Sequence, residues 1–247
     1  MSPIRLASNN LAETYLQLAL ATPGTRIEHR EGFVAALGSF DHPICNLAVQ
    51  LDLNPRTAAE LYQLATTRAA FNVYVTPSDE PQHCGALLRA AGFDAVYGMV
   101  MMSIPPLQEE ESEPQMIMRQ AGSAMERREV AQFMMRQFFP RHAMASQERL
   151  ALSTAATDLQ MWYVGDERGP ICAAMLSETP DTIGLYNLCV SAGERGHGIG
   201  SQIVDWVRRK VKKQIVLQCD VILEDWYERL GFETIGDLTV YAIRKSG

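Results

Sequence analysis

No two cysteines in the chain are spaced Cys-x-x-Cys, and the five present, Cys45, Cys84, Cys172, Cys189 and Cys219, are odd in number. A complete disulfide framework is therefore excluded, and a reducing cytoplasm is the expected setting. The five histidines, His29, His42, His83, His142 and His197, show no metal-ligand spacing with one another or with the cysteines, so no metal is expected. No apolar run approaches the roughly 18 residues that a membrane span needs. Residues Leu11 to Ala21 have apolar side chains at helical spacing, yet Glu13 and Gln17 interrupt them, and neither a span nor a secretory signal is expected. Positive charge is also scarce: 22 Lys and Arg stand against 29 Asp and Glu, a net charge of −7. That balance argues against a general nucleic-acid binder and suits an amine-bearing substrate better. The basic run Arg208-Arg209-Lys210, with Lys212 and Lys213, reads as the solvated end of a helix whose dipole it complements.

Against these absences stand 247 residues, 47% of them hydrophobic and 21% charged, enough for one or two domains with a substantial core. The methionines Met99, Met101, Met102, Met116, Met118, Met134 and Met135 are spaced as strand and helix core positions. The clearest break in composition is Ile104 to Pro114, where prolines flank four glutamates. It is expected to be a solvated linker, residues 107–114, between an N-terminal α/β domain at 1–106 and a second domain at 115–247. The second domain reads as strand (115–120), helix (123–136), helix (146–155) and strands at 159–165, 171–177 and 182–190. A helix from Gly198 to about Lys213 follows, then strand 215–219, a short helix through Tyr227, and two strands near 232–235 and 238–243.

The most informative stretch runs from the apolar Leu185–Val190 into Arg195-Gly196-His197-Gly198-Ile199-Gly200-Ser201. Strand, glycine loop and helix start make an anion site, because the first amides of a helix lack internal partners and glycine lets a phosphate approach them. The glycine spacing then excludes two common ligands. A dinucleotide fingerprint wants a third glycine where Ser201 or Ile203 stands, and a P-loop wants lysine where Ile199 stands.

What remains is Arg-x-x-Gly-x-Gly at Arg195, Gly198 and Gly200. Downstream lies Trp226-Tyr227-Glu228-Arg229-Leu230-Gly231-Phe232, an aromatic-Tyr, two residues, then Leu-Gly-Phe. Together they resemble the coenzyme A loop and the tyrosine signature of the GNAT N-acetyltransferase superfamily, and the element order from 115 to 247 resembles its whole fold. The resemblance implies a mixed α/β sheet of the GNAT acyl-CoA N-acyltransferase fold. It implies acetyl-CoA as donor and a small-molecule or amino-acid-like primary amine as acceptor, with direct attack through a tetrahedral intermediate. Backbone groups of Leu188, Cys189 and Val190 would then meet the pantetheine arm and the oxyanion. The amides of Arg195, Gly196, His197, Gly198, Ile199, Gly200 and Ser201 would hold the pyrophosphate, and Tyr227 would protonate the departing thiolate. A phenol with pKa of about 10 can donate to a thiolate whose conjugate acid lies near about 8.5.

The base stays unassigned. Asn187 cannot take a proton at neutral pH, and Glu178, Asp220 and Glu224 read as surface carboxylates, leaving water as the route. Asp220 stands where the family often has asparagine. The N-terminal half echoes the same ending in Leu88 to Gly92-Phe93, which can be laid on Tyr227 to Gly231-Phe232, but no glycine lies between Ser39 and Cys84 to form a loop. Two readings stay open: a degenerate GNAT-like half without cofactor or acid, or a plain helix cap feeding a strand. Two other functions stay open beside the leading one, a coenzyme A-binding regulatory module without turnover and an acetyltransferase of protein lysines or N-termini. A homodimer is likewise left open.

Overall fold

In the computed structural model, residues 1–107 and 116–244 are described, and the expected linker lies outside them from residue 108 on. The chain divides into two compact units. Residues 1–102, 218–225 and 234–247 form the first, and residues 103–217 and 226–233 form the second. Among the described residues no helix is long and apolar enough to cross a membrane.

The first unit begins with α1 (Pro3–Leu20), then β1 (Arg26–Arg30), β2 (Phe33–Leu37), β3 (Asn46–Val49), α2 (Pro55–Thr66), β4 (Asn72–Val75), α3 (Cys84–Ala91) and β5 (Asp94–Ile104). The second contains β6 (Arg119–Gln120), α4 (Ala124–Phe138), α5 (Met144–Ala155), β7 (Gln160–Asp166), β8 (Gly169–Glu178) and β9 (Thr182–Val190). It continues with α6 (Ile199–Lys210), β10 (Gln214–Cys219) and α7 (Glu224–Arg229), and β11 (Glu233–Ala242) closes the chain. Each half thus runs three strands, helix, strand, short helix, strand. In the first unit the strand order is β1-β2-β3-β4-β11-β5, and in the second it is β10-β9-β8-β7-β6. The last strand, from Thr234 on, therefore belongs to the first unit, where it pairs antiparallel with β4 through Thr239↔Val75 and Val240↔Tyr74.

Two expectations change here. The final pair of strands is one continuous β11: Gly236 does not break it, but lets the backbone pass where a Cβ would come within 2.7 Å of Pro77 and 2.9 Å of Ile4. The echo in the N-terminal half is a matter of fold and not only of local capping. Gly92 and Gly231 both take left-handed φ, +110° and +91°. The amide of Phe93 donates to Leu88 O at 3.0 Å as that of Phe232 donates to Tyr227 O at 3.1 Å. In each half the cap turns a phenylalanine inward, and burying such a ring contributes about 1.5–3 kcal/mol. In the first unit Phe93 joins Phe33, Leu61, Val73, Leu88 and Tyr241 in one core.

The helices start and stop for local reasons. Asn54 accepts from the amides of Arg56 and Thr57 and caps α2, with Pro55 at its first position, and Ser123 and Glu126 form a capping box on α4. Met101, Met102, Met118, Met134 and Met135 are buried as their spacing predicts.

Candidate active site

The site is built within the second unit where β9 meets α6. β9 and β10 pair in parallel over Thr182–Gly184 and Gln214–Val216, while β9 runs on alone in that register to Val190. On its other side β9 pairs with β8, and the register shifts between Ala173↔Cys189 and Met175↔Tyr186, so Asn187 and Leu188 together oppose a single residue, Ala174. Asn187 takes up this extra residue with φ +48°, and its amide nitrogen lies 3.2 Å from Met175 Sδ. The bulge re-aims Leu188, Cys189 and Val190 past the point where β10 has left. This is the stretch expected to meet an acyl-thioester arm.

A short 3-10 turn, Ala192–Glu194, leads from β9 into the loop. Arg195 pins the loop at both sides: its Nε donates to Val190 O at 3.0 Å and its guanidinium to Gln137 Oε1 of α4 at 3.0 Å. Gly196 and Gly198 adopt φ +83° and +79°, and a Cβ at either would meet nothing within 4 Å. His197 turns its ring out to solvent, with Nδ1 at 3.3 Å from Glu194 O. Gly198 is the residue before α6 and supplies no side-chain cap, and the first helical bond is Gln202 N to Gly198 O. The amides of Ile199, Gly200 and Ser201 thus open α6 without a side-chain acceptor and carry the positive end of its dipole. The contrast with α2 in the first unit is direct, for there Asn54 occupies the equivalent donors and Pro55 has none to offer.

The two sequence motifs meet at one contact. A Cβ on Gly200 would lie 3.2 Å from Trp226 Cζ2, so the second loop glycine is what lets α6 lie against the indole beside Tyr227. Tyr227 is buried, with its ring edge-on to Trp226 (4.6 Å) and Phe232 (5.4 Å), and its carbonyl accepts from Leu230 and Phe232. Arg208 of α6 reaches Leu230 O at 3.2 Å and ties the same two helices at their other end. Cys189 is buried, and burial pushes its thiol up to about 12, so at neutral pH it is a thiol and not a nucleophile.

The carboxylates divide differently. Glu178 pairs with Ile183 at the far end of β9, seven residues from Val190, or about 23 Å at 3.3 Å per residue. It forms an ion pair with Lys213 at 2.9 Å, so it is no base for a reaction at the loop end. Asp220 accepts from the amide of Ile222, and Glu224 accepts from Thr234 Oγ1 at 2.7 Å. The basic run has local uses. Arg209 pairs with Asp205 at 2.8 Å, and Lys210 lies 4.1 Å over Trp162 and 5.4 Å from Trp206. Among the described residues no group of three His, Cys, Asp or Glu could hold a metal ion. Sequence reading missed Gln137 and the role of Trp226. Gln137 sits at the end of a helix with no motif around it, whereas Trp226 stood beside the signature tyrosine.

Residues 157–234 match the Acetyltransferase (GNAT) domain family, a span from just before β7 through the start of β11 that includes the whole loop and Tyr227. Among solved structures, a GCN5-related N-acetyltransferase from Kribbella flavida is 13% identical with a TM-score of 0.70, covering 100% of this chain and 97% of that one. A putative GNAT-family acetyltransferase from Novosphingobium aromaticivorans is 13% identical with a TM-score of 0.60, over 98% and 97%. A tandem GNAT protein from the clavulanic acid biosynthesis pathway is 13% identical with a TM-score of 0.59, over 97% and 96%. No curated protein matches the sequence. The chain carries a GNAT acetyltransferase domain at 157–234, and its fold is GNAT-like in the N-terminal half as well.

Proposed function

We propose that this protein is an N-acetyltransferase that moves an acetyl group from acetyl-CoA to the primary amine of a small, amino-acid-like acceptor. The observation that carries the reading is the uncapped start of α6 behind an open glycine loop, at the end of a bulged strand that its parallel partner has left. Amides 195–201 would hold the pyrophosphate, which suits a loop with left-handed glycines and open space above them. Acetyl-CoA supplies the activated acyl group. Leu188, Cys189 and Val190 offer backbone donors and acceptors along the thioester arm, and donors fixed in advance on a strand stabilise an oxyanion without reorganising.

Tyr227 is the proposed acid toward the departing thiolate. Its ring is held by Trp226 and Phe232, and Trp226 is set against the loop by Gly200. The buried, protonated Cys189 favours direct transfer over an acyl-cysteine intermediate. With Glu178 held at the far end of β9, the amine is expected to lose its proton through water.

The experiment is a panel of amines scored for coenzyme A thiol release, run on wild type and on Tyr227→Phe. Turnover with at least one amine, falling by about 10²–10⁴ in kcat for the variant while acetyl-CoA affinity holds, supports the reading. Binding of acetyl-CoA without turnover on any amine would favour the regulatory module. Turnover confined to peptide lysines or N-termini would move the acceptor to proteins.

A further inference from the structure

The first unit contains a cavity of about 280 Å³ that the acetyl-transfer chemistry does not use, lined by residues that include Arg5 and Asn9 of α1, Gln50 just past β3, and Tyr74, Thr76 and Asp79. It lies where β3 and β4 part, after their parallel pairs Leu47↔Asn72 and Ala48↔Val73. This is the counterpart of the divergence of β9 and β10, but it is closed to a thioester arm. The chain itself returns along the strand: Glu80 N donates to Leu51 O at 2.9 Å and Leu53 N to Glu80 O at 2.7 Å, a parallel bridge at Asp52↔Glu80. The backbone groups that an arm would use are taken.

What remains is a small, partly open polar pocket whose lining carries one buried acid, Asp79, and one exposed base, Arg5, that do not pair with each other. Asp79 is 8% exposed, and its carboxylate accepts from the Leu51 amide at 2.7 Å, the Thr76 amide at 2.6 Å and Thr76 Oγ1 at 2.9 Å. All three donors are neutral, and among the described residues no cation pairs with it. A buried carboxylate without a counter-charge is costly, and a cation delivered into the cavity would relieve that cost. Arg5, on the same cavity, makes no hydrogen bond or ion pair among the described residues, and neither does the side chain of Gln50. Gln50 also holds φ +56°, a strained conformation for a residue with a side chain, of the kind that concentrates at ligand sites. The volume falls just under the range of about 300–1,000 Å³ typical of drug-sized ligands, so the occupant is small.

We propose that this pocket binds a small zwitterion, an α-amino acid or close relative, with its ammonium at Asp79 and its carboxylate toward Arg5 and Gln50. The site is independent of the acetyl-transfer reading, because its residues all belong to the first unit and the glycine loop to the second.

The test uses the full chain, with calorimetry and thermal midpoints over a panel of free α-amino acids, their N-acetyl forms and their decarboxylated amines. At least one free amino acid should bind at one site per chain. Its N-acetyl form and its decarboxylated amine should each bind about tenfold more weakly or worse, since each loses one charge-assisted contact. Arg5→Ala should weaken binding by the same factor. Asp79→Asn should abolish it, but that carboxylate also ties Leu51 to Thr76, so Gln50→Gly provides a second variant that suits φ +56° and keeps the fold while lowering affinity. Weakened amino-acid binding in Arg5→Ala with acetyl-CoA affinity unchanged places the ligand in the first unit and not at the acetyl-transfer site. The proposal is overturned if no panel member binds, if affinity is unchanged in both Arg5→Ala and Gln50→Gly, or if binding disappears in Gly198→Glu.

Discussion

Replacing each capping glycine by alanine measures what the two halves share and where they differ. Gly231→Ala puts a Cβ on a residue at φ +91°, which costs about 1–2 kcal/mol in the left-handed region. The new methyl would lie 3.3 Å from Ile104 Cδ1, the end of a flexible side chain, so little more is added. Gly92→Ala pays the same backbone cost at φ +110°, but its Cβ would come within 2.7, 3.1 and 3.3 Å of the Tyr62 ring. That ring packs edge-on against Phe93 at 5.6 Å and cannot swing away without opening the core, which adds about 1–3 kcal/mol of overpacking. The expected totals are about 1–2 kcal/mol for Gly231→Ala and about 2–5 kcal/mol for Gly92→Ala. In a chain of this size each kcal/mol lowers the midpoint by about 2–4 °C, so calorimetry should show a clearly larger drop for Gly92→Ala. Equal drops, or a larger one at Gly231, would refute the assignment of tight ring contact at Gly92.

Other outcomes follow from the same contacts. Burial pushes the thiols of Cys84 and Cys219 up to about 11 and that of Cys189 up to about 12, from an ordinary 9.0. The folded chain therefore holds these protons more tightly than the unfolded chain. This stabilisation is complete below about pH 9 and is lost as pH rises toward 11–12, by up to about 1.4 kcal/mol per pH unit for each thiol. Urea midpoints should fall over that window and fall less steeply in Cys189→Ala, whereas a flat midpoint would contradict the burial. Removing the α2 cap with Asn54→Ala should cost about 1 kcal/mol in urea unfolding and leave acetyl-CoA affinity untouched; a matching loss of affinity would put cofactor contacts on the wrong helix. Arg195→Ala should free the loop from Val190 O and Gln137 and raise the acetyl-CoA Kd severalfold by calorimetry, and an unchanged Kd would mean the loop needs no anchor.

The parts of this molecule that sequence reveals are those decided within a few residues. The loop from Arg195 to Ser201 and the run from Trp226 to Phe232 each carry their geometry locally, in left-handed glycines and in a buried phenylalanine after a cap. The same logic exposed the echo at Gly92-Phe93. What sequence could not supply depended on distant partners. The strands read near 232–235 and 238–243 are one, and the close approach of Ile4 and Pro77 that Gly236 allows comes from residues far away in the chain. That β11 lies beside β4 is not written in either strand, since stretches such as Val73-Tyr74-Val75 and Thr239-Val240-Tyr241 would each accept several neighbours. Glu178 was near the cofactor strand in sequence, yet it lies at the opposite end in space, because antiparallel neighbours invert distance along the chain. The loop glycines announced open space, but that Gly200 also makes room for Trp226 appears only when the two motifs are brought together.

Whether the loop before α6 holds acetyl-CoA is decided by calorimetric titration of wild type beside Gly198→Glu. Gly198→Ala serves as the control, since it carries the same penalty at φ +79° without filling the site or adding charge. One site per chain is expected in wild type, retained in Gly198→Ala and lost in Gly198→Glu. Ligand at about 100 times Kd should also stabilise by about 2.7 kcal/mol, a rise of about 5–10 °C in the midpoint. No binding in wild type, or binding of equal strength in Gly198→Glu, would contradict acetyl-CoA binding at the loop.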